Sequence, residues 1–158
     1  MATTLRIAFV ASVLIFGASS ERATPPSQCL QFSADLMPSL VGGLNRPNFR
    51  MANAWAVKSD KMIDSAGVKF PAYFLSADII AANGEAVVGT WLTTDVTKAG
   101  LVYSLSPSAK KYSNWAEAGA GDSSTAGITT ETPGAKESIT CVLNNRPKSP
   151  QAGVGTKG

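Results

Sequence analysis

Hydrophobic and polar residues alternate with a period of two through the middle of the chain. The alternation is clearest in residues 49–57 and 70–80, and two shorter segments rich in β-branched and aromatic residues follow at 86–93 and 100–105. A period of two is typical of β-strands, because successive side chains point to opposite faces of a sheet. Since the later segments are joined by short connections, we predict an antiparallel meander of three to four strands.

The connections between these segments contain residues typical of turns. Residues 58–69 are mostly polar and are predicted to form a loop. Asn83-Gly84 is a favoured pair for a two-residue hairpin, because both central positions of that turn require a positive φ. We therefore expect a tight turn at this pair.

Helices are predicted near both ends of the sheet. Between residues 30 and 44, apolar residues recur every four positions, which indicates an irregular helix interrupted by proline and glycine. Ser106-Pro107 and Thr132-Pro133 each combine a capping residue with a proline suited to the first helical position. Together with the meander, these helices predict an α+β fold.

The two ends of the chain differ in composition from the segment between them. Residues 1–20 carry an arginine, an apolar run too short to span a bilayer of about 30 Å, and then small residues, a pattern typical of a secretory signal peptide. Residues 21–28 are predicted to be a linker, residues 29–143 a single domain, and residues 144–158 a disordered tail rich in proline and glycine. The mature protein is therefore expected to be secreted or associated with the cell envelope, without stable membrane insertion.

Cys29 and Cys141 are the two cysteines of the chain, and they lie 112 positions apart. In an exported protein, two cysteines are expected to pair. The resulting disulfide would join the two ends of the predicted domain and restrict the unfolded chain. The alternative is a pair of independent buried thiols.

Charge and composition exclude several classes of function. The formal net charge is +3, but the basic excess lies near the ends of the chain, and no cluster of cations typical of nucleic-acid binding is visible. The chain contains no histidine. Serine and cysteine nucleophiles are usually activated by a histidine base, so the absence of histidine excludes the usual catalytic triads and dyads. With only two cysteines, the chain also lacks the ligands of an ordinary zinc site. We therefore predict no catalytic residues, no metal site, no cofactor and no nucleic-acid partner.

Gly121-Asp122-Ser123 matches a triplet that carries the nucleophile in several hydrolase families. Without a histidine base, Ser123 is predicted to lie in a solvated loop. Carboxylates are the remaining acid–base candidates. Asp78 is notable because it falls inside a hydrophobic strand, and Glu85 and Asp95 flank the adjacent strand. Two carboxylates within about 10 Å in a cleft would support a hydrolase. The alternative is that Asp78 lies on the solvent face of its strand.

Aromatic residues are the candidates for a binding surface. Trp91 and Tyr103 lie in predicted strands, and Trp115 lies in a predicted helix. Exposed together, these residues and Asp78 would form a surface suited to carbohydrate or protein. The alternative is that each tryptophan packs in the core of its own element.

Four sequence blocks follow one another between residues 71 and 141. They are YFLSADI, VVGTWLTTDVTKAGLVYSL, SAKKYSNWAEAGAGDSSTAGI and PGAKESITC. In these blocks the chain resembles a group of small exported proteins of high-GC Gram-positive bacteria, many of them lipoproteins. No activity is assigned to that group, so the resemblance implies export but no site residues. The chain departs from the group's acidic pattern at Lys111, Asn114 and Ala118, and it has no lipid-attachment cysteine.

These observations predict a non-catalytic binding or interaction module of the cell envelope or extracellular space, with a protein or an envelope component as its partner. A small secreted hydrolase that uses carboxylates and a secreted protein inhibitor are the alternatives. A cleft enclosing two acids would favour the hydrolase, whereas an apolar surface around an exposed tryptophan would favour binding.

Overall fold

The computed structural model describes residues 28–98 and 100–147, which form a five-stranded antiparallel sheet with helices on both faces. The strands are β1 (Leu30–Gln31), β2 (Arg50–Ser65), β3 (Val68–Ile80), β4 (Ala86–Thr93) and β5 (Val102–Ser104), adjacent in that order. The helices are α1 (Met37–Gly42), α2 (Pro107–Tyr112) and α3 (Ala135–Asn144), and 3-10 turns lie at Ala34–Leu36 and Ser123–Thr125. The predicted antiparallel meander is present, with five strands rather than three to four, and helices accompany it as an α+β fold requires.

β3 is the central strand, and both of its faces are buried over residues 74–79. Leu75 and Ile79 pack in the core that α1 and α2 cover. Phe74, on the other face, packs with Ala135 at the start of α3, and the hydroxyl of Ser76 hydrogen-bonds to α3. Burying a large apolar side chain contributes about 1.5–3 kcal/mol, so the sheet is stabilised from both sides.

The predicted loop at residues 58–69 is instead the end of one strand and the start of the next. β2 continues to Ser65 and β3 begins at Val68, so only Ala66 and Gly67 connect them. Both connecting residues have a positive φ, 53° and 80°, as the central positions of a type I′ turn require. Most side chains of this hairpin are exposed and many are polar. The segment therefore lacks the hydrophobic pattern from which a strand is predicted.

The connection between β3 and β4 is a hairpin turn, but it is longer than the two residues predicted. It occupies residues 81–85, and the N–H of Gly84 donates to the carbonyl of Ala81 at 2.9 Å. Gly84 has a φ of 85°. Asn83 acts through its side chain instead, because its Oδ1 accepts a hydrogen bond from the N–H of Glu85 at 3.1 Å.

The first two helical regions agree with the sequence in part. Ser106 caps α2 as predicted, because its hydroxyl accepts a hydrogen bond from the N–H of Ala109 at 3.2 Å. α2 ends at Tyr112, so Trp115 lies beyond the helix to which the sequence assigns it. Residues 30–44, predicted as one irregular helix, contain a short strand, a 3-10 turn and α1.

α3 begins slightly later than the sequence signal indicates. The N–H of Ala135 donates to the carbonyl of Thr132 at 3.0 Å, which closes the turn that precedes the helix. The carboxylate of Glu137 accepts a hydrogen bond from the N–H of Gly134 at 2.6 Å and stabilises the amino end of the helix. Ala135 and Val142, two members of the predicted apolar stripe, are buried.

The predicted disulfide between Cys29 and Cys141 is confirmed, with the two Cα atoms 5.8 Å apart. Cys29 directly precedes β1, and Cys141 lies in α3. The bond therefore ties the start of the described fold to its last helix.

Residues 1–27, 99 and 148–158 lie outside the described residues, and with them the predicted signal peptide, most of the linker and most of the tail. Arg146, which the sequence analysis assigns to the tail, is instead bound to the fold by an ion pair with Asp78. Within the described part of the chain, no helix has the length and apolar character needed to cross a membrane.

Candidate functional site

A small apolar cleft opens between α1, the β4–β5 connection and Trp115. Its walls are mainly apolar side chains from separate parts of the chain, Phe32, Leu36, Leu40, Leu75, Val102 and Trp115. The other lining residues, most of them polar, are Ser39, Thr93, Asp95, Lys98 and Gly100. The volume of the cleft is about 70 Å³.

The floor of the cleft is part of the core. Leu40 and Leu75 are buried, and so is Thr93 beside them. The hydroxyl of Thr93 donates to the carbonyl of Asp95 at 3.0 Å. Because this donor is already used within the protein, the floor offers a ligand apolar surface.

Trp115 is held beside the cleft by its backbone and by packing. Its carbonyl accepts a hydrogen bond from the hydroxyl of Ser104 at 3.3 Å, and the N–H of the preceding residue, Asn114, donates to the carbonyl of Gly43 at 2.8 Å. The indole packs so closely on Gly43 that a side chain there would overlap it. The indole Nε1 is buried without a hydrogen-bond partner among the described residues, which costs about 1–3 kcal/mol. Packing therefore has to offset this cost.

The connection between β4 and β5 is organised by Asp95. Its Oδ1 accepts hydrogen bonds from the N–H of Thr97 at 2.7 Å, the hydroxyl of Thr97 at 2.8 Å and the N–H of Lys98 at 3.2 Å. These bonds hold the pKa of Asp95 below its ordinary value, and the bond from the Thr97 N–H has the largest effect. Thr94 and Leu101 close the loop, with the N–H of Thr94 donating to the carbonyl of Leu101 at 3.2 Å. Asp95 is therefore ionised at neutral pH and fixed in position.

A second and wider depression, the loop notch, adjoins the same connection. Its volume is about 580 Å³, and it is lined by Phe70, Pro71, Thr94, Asp95, Lys98, Gly100 and Leu101. The notch exists because the β2–β3 hairpin extends past the end of β4. The pairing of β3 with β4 stops where Tyr73 meets Thr93, so no described strand pairs with the earlier residues of β3 on that side. Asp95, Lys98 and Gly100 line both the apolar cleft and the loop notch.

The charged residues that line the apolar cleft and the loop notch are Asp95 and Lys98. Asp95 is the one carboxylate among the described residues that line the apolar cleft or the loop notch. Catalysis of the glycosidase type needs two carboxyl groups that flank the reacting bond. In the part of the chain that the structure describes, no group of three or more acidic, histidine or cysteine residues could hold a metal ion.

Trp91 has to be removed from the predicted binding surface, because its side chain is fully buried. It lies on β4 opposite Leu75 of β3, and its Nε1 donates to the hydroxyl of Ser113 at 3.3 Å. For Trp91, the alternative that the tryptophan packs in the core is the correct one.

Asp78 is also buried, so it belongs neither to a solvent face nor to a binding surface. Its carboxylate accepts hydrogen bonds from Arg146, with Nε at 3.0 Å and Nη2 at 2.5 Å, and from Nδ2 of Asn53 at 3.1 Å. Asn53, which has a φ of 53°, also donates from Nδ2 to the carbonyl of Val142 at 2.8 Å. The bond to Asp78 raises the pKa of Arg146. This cluster fastens the segment after α3 to the sheet, as charge-assisted pairs do.

The other two predicted surface residues lie apart from each other. Tyr103 is partly exposed on β5, where its hydroxyl donates to Oδ2 of Asp122 at 2.9 Å. It is not among the residues that line the apolar cleft, whereas Trp115 is. The structure therefore does not bring the four predicted residues together on one surface.

Ser123 is exposed, as predicted, but its loop is ordered by hydrogen bonds. Oδ1 of Asp122 accepts from the N–H of Ser124 at 2.9 Å and from its hydroxyl at 2.6 Å. Thr125 is buried, and its hydroxyl accepts from the N–H of Gly119 at 2.7 Å. Asp122 is thus occupied in shaping the loop, which identifies a structural role for the triplet.

Sequence reasoning missed Phe32, Ser39 and Lys98 as lining residues. A signal for Lys98 does exist in the sequence, because an aspartate two residues before a threonine, just after a strand, favours a side-chain-capped turn. That turn fixes the loop and with it the start of the Lys98 side chain. Phe32 and Ser39 carry no comparable signal, because only the tertiary fold brings them to the cleft.

Comparison of the chain with protein-family models, curated proteins and solved structures gave no match.

Proposed function

We propose that this protein is a non-catalytic binding module that works outside the cytoplasm, and that its ligand enters the apolar cleft beside Trp115. The observation that supports the proposal most is the chemistry of the cleft. Apolar side chains form its walls, the polar group on its floor is already bonded, and charged groups line it only at the β4–β5 connection. Mostly apolar walls with a few placed polar groups are typical of ligand sites.

The state of Asp95 supports binding rather than turnover. A carboxyl group that acts as a general acid near neutral pH needs a raised pKa. The hydrogen bonds from Thr97 lower the pKa of Asp95 instead. A fixed, ionised carboxylate is well suited to bind a donor and has no proton of its own to give.

The proposed location rests on two features. Residues 1–20 have the pattern of a secretory signal. The disulfide between Cys29 and Cys141 supports the same location, because such bonds persist in oxidising compartments. A soluble small molecule, a protein or an envelope component present there is the expected partner.

Chemical-shift mapping by NMR tests the proposed site. Isobutanol is a suitable probe, because it presents a short apolar group without charge. We expect its shifts to concentrate at Trp115, Val102 and Thr93. Ser39→Phe should abolish them, because this exposed residue of α1 lines the cleft and a ring there would block its opening. Thr140→Phe is the matched control, since it places the same ring at an exposed position of α3 on the opposite face of the sheet.

Shifts that spread evenly over the protein, or that survive Ser39→Phe and Thr140→Phe alike, would contradict the proposed site. Turnover of a glycoside or ester substrate that is lost in Asp95→Asn would instead favour the hydrolase.

A further inference from the structure

We propose that the apolar cleft and the rim formed by Asp95 and Lys98 together bind a zwitterionic α-amino acid with a short branched aliphatic side chain, such as valine. The inference rests on the proposed function, because it names the ligand of the same cleft. It is carried by the size of the cleft and by two opposite charges at its edge.

The volume of the cleft selects a small aliphatic group. An engineered protein cavity of about 150 Å³ holds benzene, which has six carbons. The apolar cleft measures about 70 Å³, so by this comparison it holds about three carbons. An isopropyl group has this size, whereas a phenyl ring or a sugar ring does not fit. A long acyl chain would need a tunnel, but the buried side chains of Leu40 and Leu75 close the floor.

Asp95 supplies an acceptor for an ammonium group. All of the hydrogen bonds that its carboxylate accepts from the described residues go to Oδ1, from Thr97 and Lys98. Oδ2 accepts none from the described part of the chain. Because the turn fixes the carboxylate at the edge of the cleft, this second oxygen is available to a ligand donor without a rearrangement of the loop.

Lys98 supplies the opposite charge a few residues further along the same loop. Its side chain is exposed and makes no ion pair at salt-bridge distance with any described residue. It also contributes to the lowered pKa of Asp95, which places the two charges within range of each other. A free α-amino acid carries an ammonium and a carboxylate on one carbon, so a single ligand matches both charges while its side chain enters the cleft.

The rim is closely packed at Gly100 and adjoins the open loop notch. A Cβ at Gly100 would come within 2.6 Å of Oγ1 of Thr94 and within 3.2 Å of Asp95, so the loop is packed tightly at this point. The wide loop notch beside the rim leaves the ligand's charged groups open to water. We therefore expect modest affinity with clear selectivity.

The test compares ligands that differ in one group at a time. Valine is titrated into the protein with its disulfide intact, followed by NMR, next to isobutanol, valinamide, N-acetylvaline and phenylalanine. We expect valine to bind at least about fivefold more tightly than isobutanol, valinamide and N-acetylvaline, since each of these lacks one or both charges. Phenylalanine should not shift the signals of the cleft.

Two variants assign each charge to its partner. Lys98→Gln should weaken the binding of valine about fivefold and leave the binding of valinamide unchanged. Asp95→Asn keeps a side-chain oxygen for the turn. It should weaken the binding of valine and leave the binding of N-acetylvaline unchanged. Lys61→Gln is the control, because it removes an exposed lysine of β2 that does not line the cleft.

Valine that binds no more tightly than isobutanol, or that is insensitive to both variants, would overturn this inference. The proposed function would still stand if isobutanol shifted Trp115 and Ser39→Phe abolished the shifts. Tighter binding of N-acetylvaline than of valine would also overturn the amino-acid inference. That result would indicate that the cleft binds the carboxyl terminus of a peptide. Loss of every shift at the cleft would instead count against the proposed function.

Discussion

Gly42 and Gly43 are neighbours at the end of α1, but their surroundings differ. A Cβ added to Gly42 would meet no atom within 4 Å, whereas one added to Gly43 would overlap the indole of Trp115. Gly43 has an ordinary φ of −82°, and Gly42 is not among the residues with a positive φ. The requirement for glycine at position 43 therefore comes from packing and not from backbone conformation.

Gly43→Ala is expected to lower the free energy of unfolding by about 1–3 kcal/mol, because the added methyl group must displace Trp115. Gly42→Ala is the matched control and should raise it by up to about 1 kcal/mol, because alanine favours a helix over glycine. Denaturant unfolding followed by tryptophan fluorescence measures both. Equal effects of the two substitutions would contradict the packing described for Trp115.

The contact between Asp122 and the hydroxyl of Tyr103 depends on pH. The pKa of Asp122 lies below its ordinary value because the carboxylate accepts hydrogen bonds from Ser124 and from the hydroxyl of Tyr103. The bonds from Ser124 have the larger effect. A carboxyl group whose pKa is lowered by folding stabilises the fold above its unfolded-state pKa of about 3.9. This contribution is lost as the pH falls through the folded-state pKa.

Tyr103→Phe should raise the pKa of Asp122 toward its ordinary value, because it removes one donor from the ionised carboxylate. Ser124→Ala should raise it further, since the hydroxyl of Ser124 is the largest cause of the lowering. An NMR titration of the Asp122 carboxyl carbon measures both shifts. An unchanged pKa in Tyr103→Phe would mean that the hydrogen bond to Asp122 is absent in solution.

At the scale of elements, the sequence predicts the strands that are buried and misses those that are exposed. β3 and β4 are recognisable because apolar residues fill most of their positions. The hairpin around Ala66 and Gly67 is not, because few of its side chains reach the core and a polar segment of this kind is also typical of a loop. Ala66 adds to the difficulty, since alanine rarely adopts a positive φ.

Ala66→Asn should stabilise the protein by about 0.5–1 kcal/mol, because asparagine tolerates the left-handed conformation and Asn-Gly is the preferred pair for a type I′ turn. Thermal unfolding of the variant and of the unmodified protein measures the difference. Gly67→Ala, at the second position of the turn, should act in the opposite direction. Destabilisation by Ala66→Asn would show that the turn differs from the one described.

The candidate site is less predictable than the fold, for a physical reason. Trp115 can be singled out from the sequence, but Phe32, Leu75 and Val102 reach the cleft from three different segments. Their proximity is created by the packing of α1 on the sheet and by the length of the β4–β5 connection. Periodicity describes only neighbours in sequence, so it does not report such contacts.

The alternation of residues in a strand predicts which side chains share a face, but it does not predict which elements of the whole molecule pack on that face. Phe74, Ser76 and Asp78 do share one face of β3, as the sequence indicates, and that face is buried under α3 and the segment that follows it. Ser76 is satisfied there by the hydroxyls of Thr90 and Ser138. Polar residues in a strand therefore indicate the solvent face only when no further layer packs on it.

Replacement of both Cys29 and Cys141 by serine is expected to lower the free energy of unfolding by about 2–4 kcal/mol, because the unfolded chain loses a constraint on a long loop. Denaturant unfolding of the variant measures this loss. The unmodified protein in the presence of a reductant should show a similar decrease. A variant as stable as the oxidised protein would contradict a stabilising role for the bond.

The same bond decides how the protein responds to mechanical force. Since the Cα atoms of Cys29 and Cys141 are 5.8 Å apart, the residues between them form a covalently closed loop whose two ends nearly meet. Tension applied to the two flanking segments passes through the covalent bridge and bypasses the strands between the cysteines. A protein stretched between two moving objects would keep its sheet intact and its cleft open to a ligand under load.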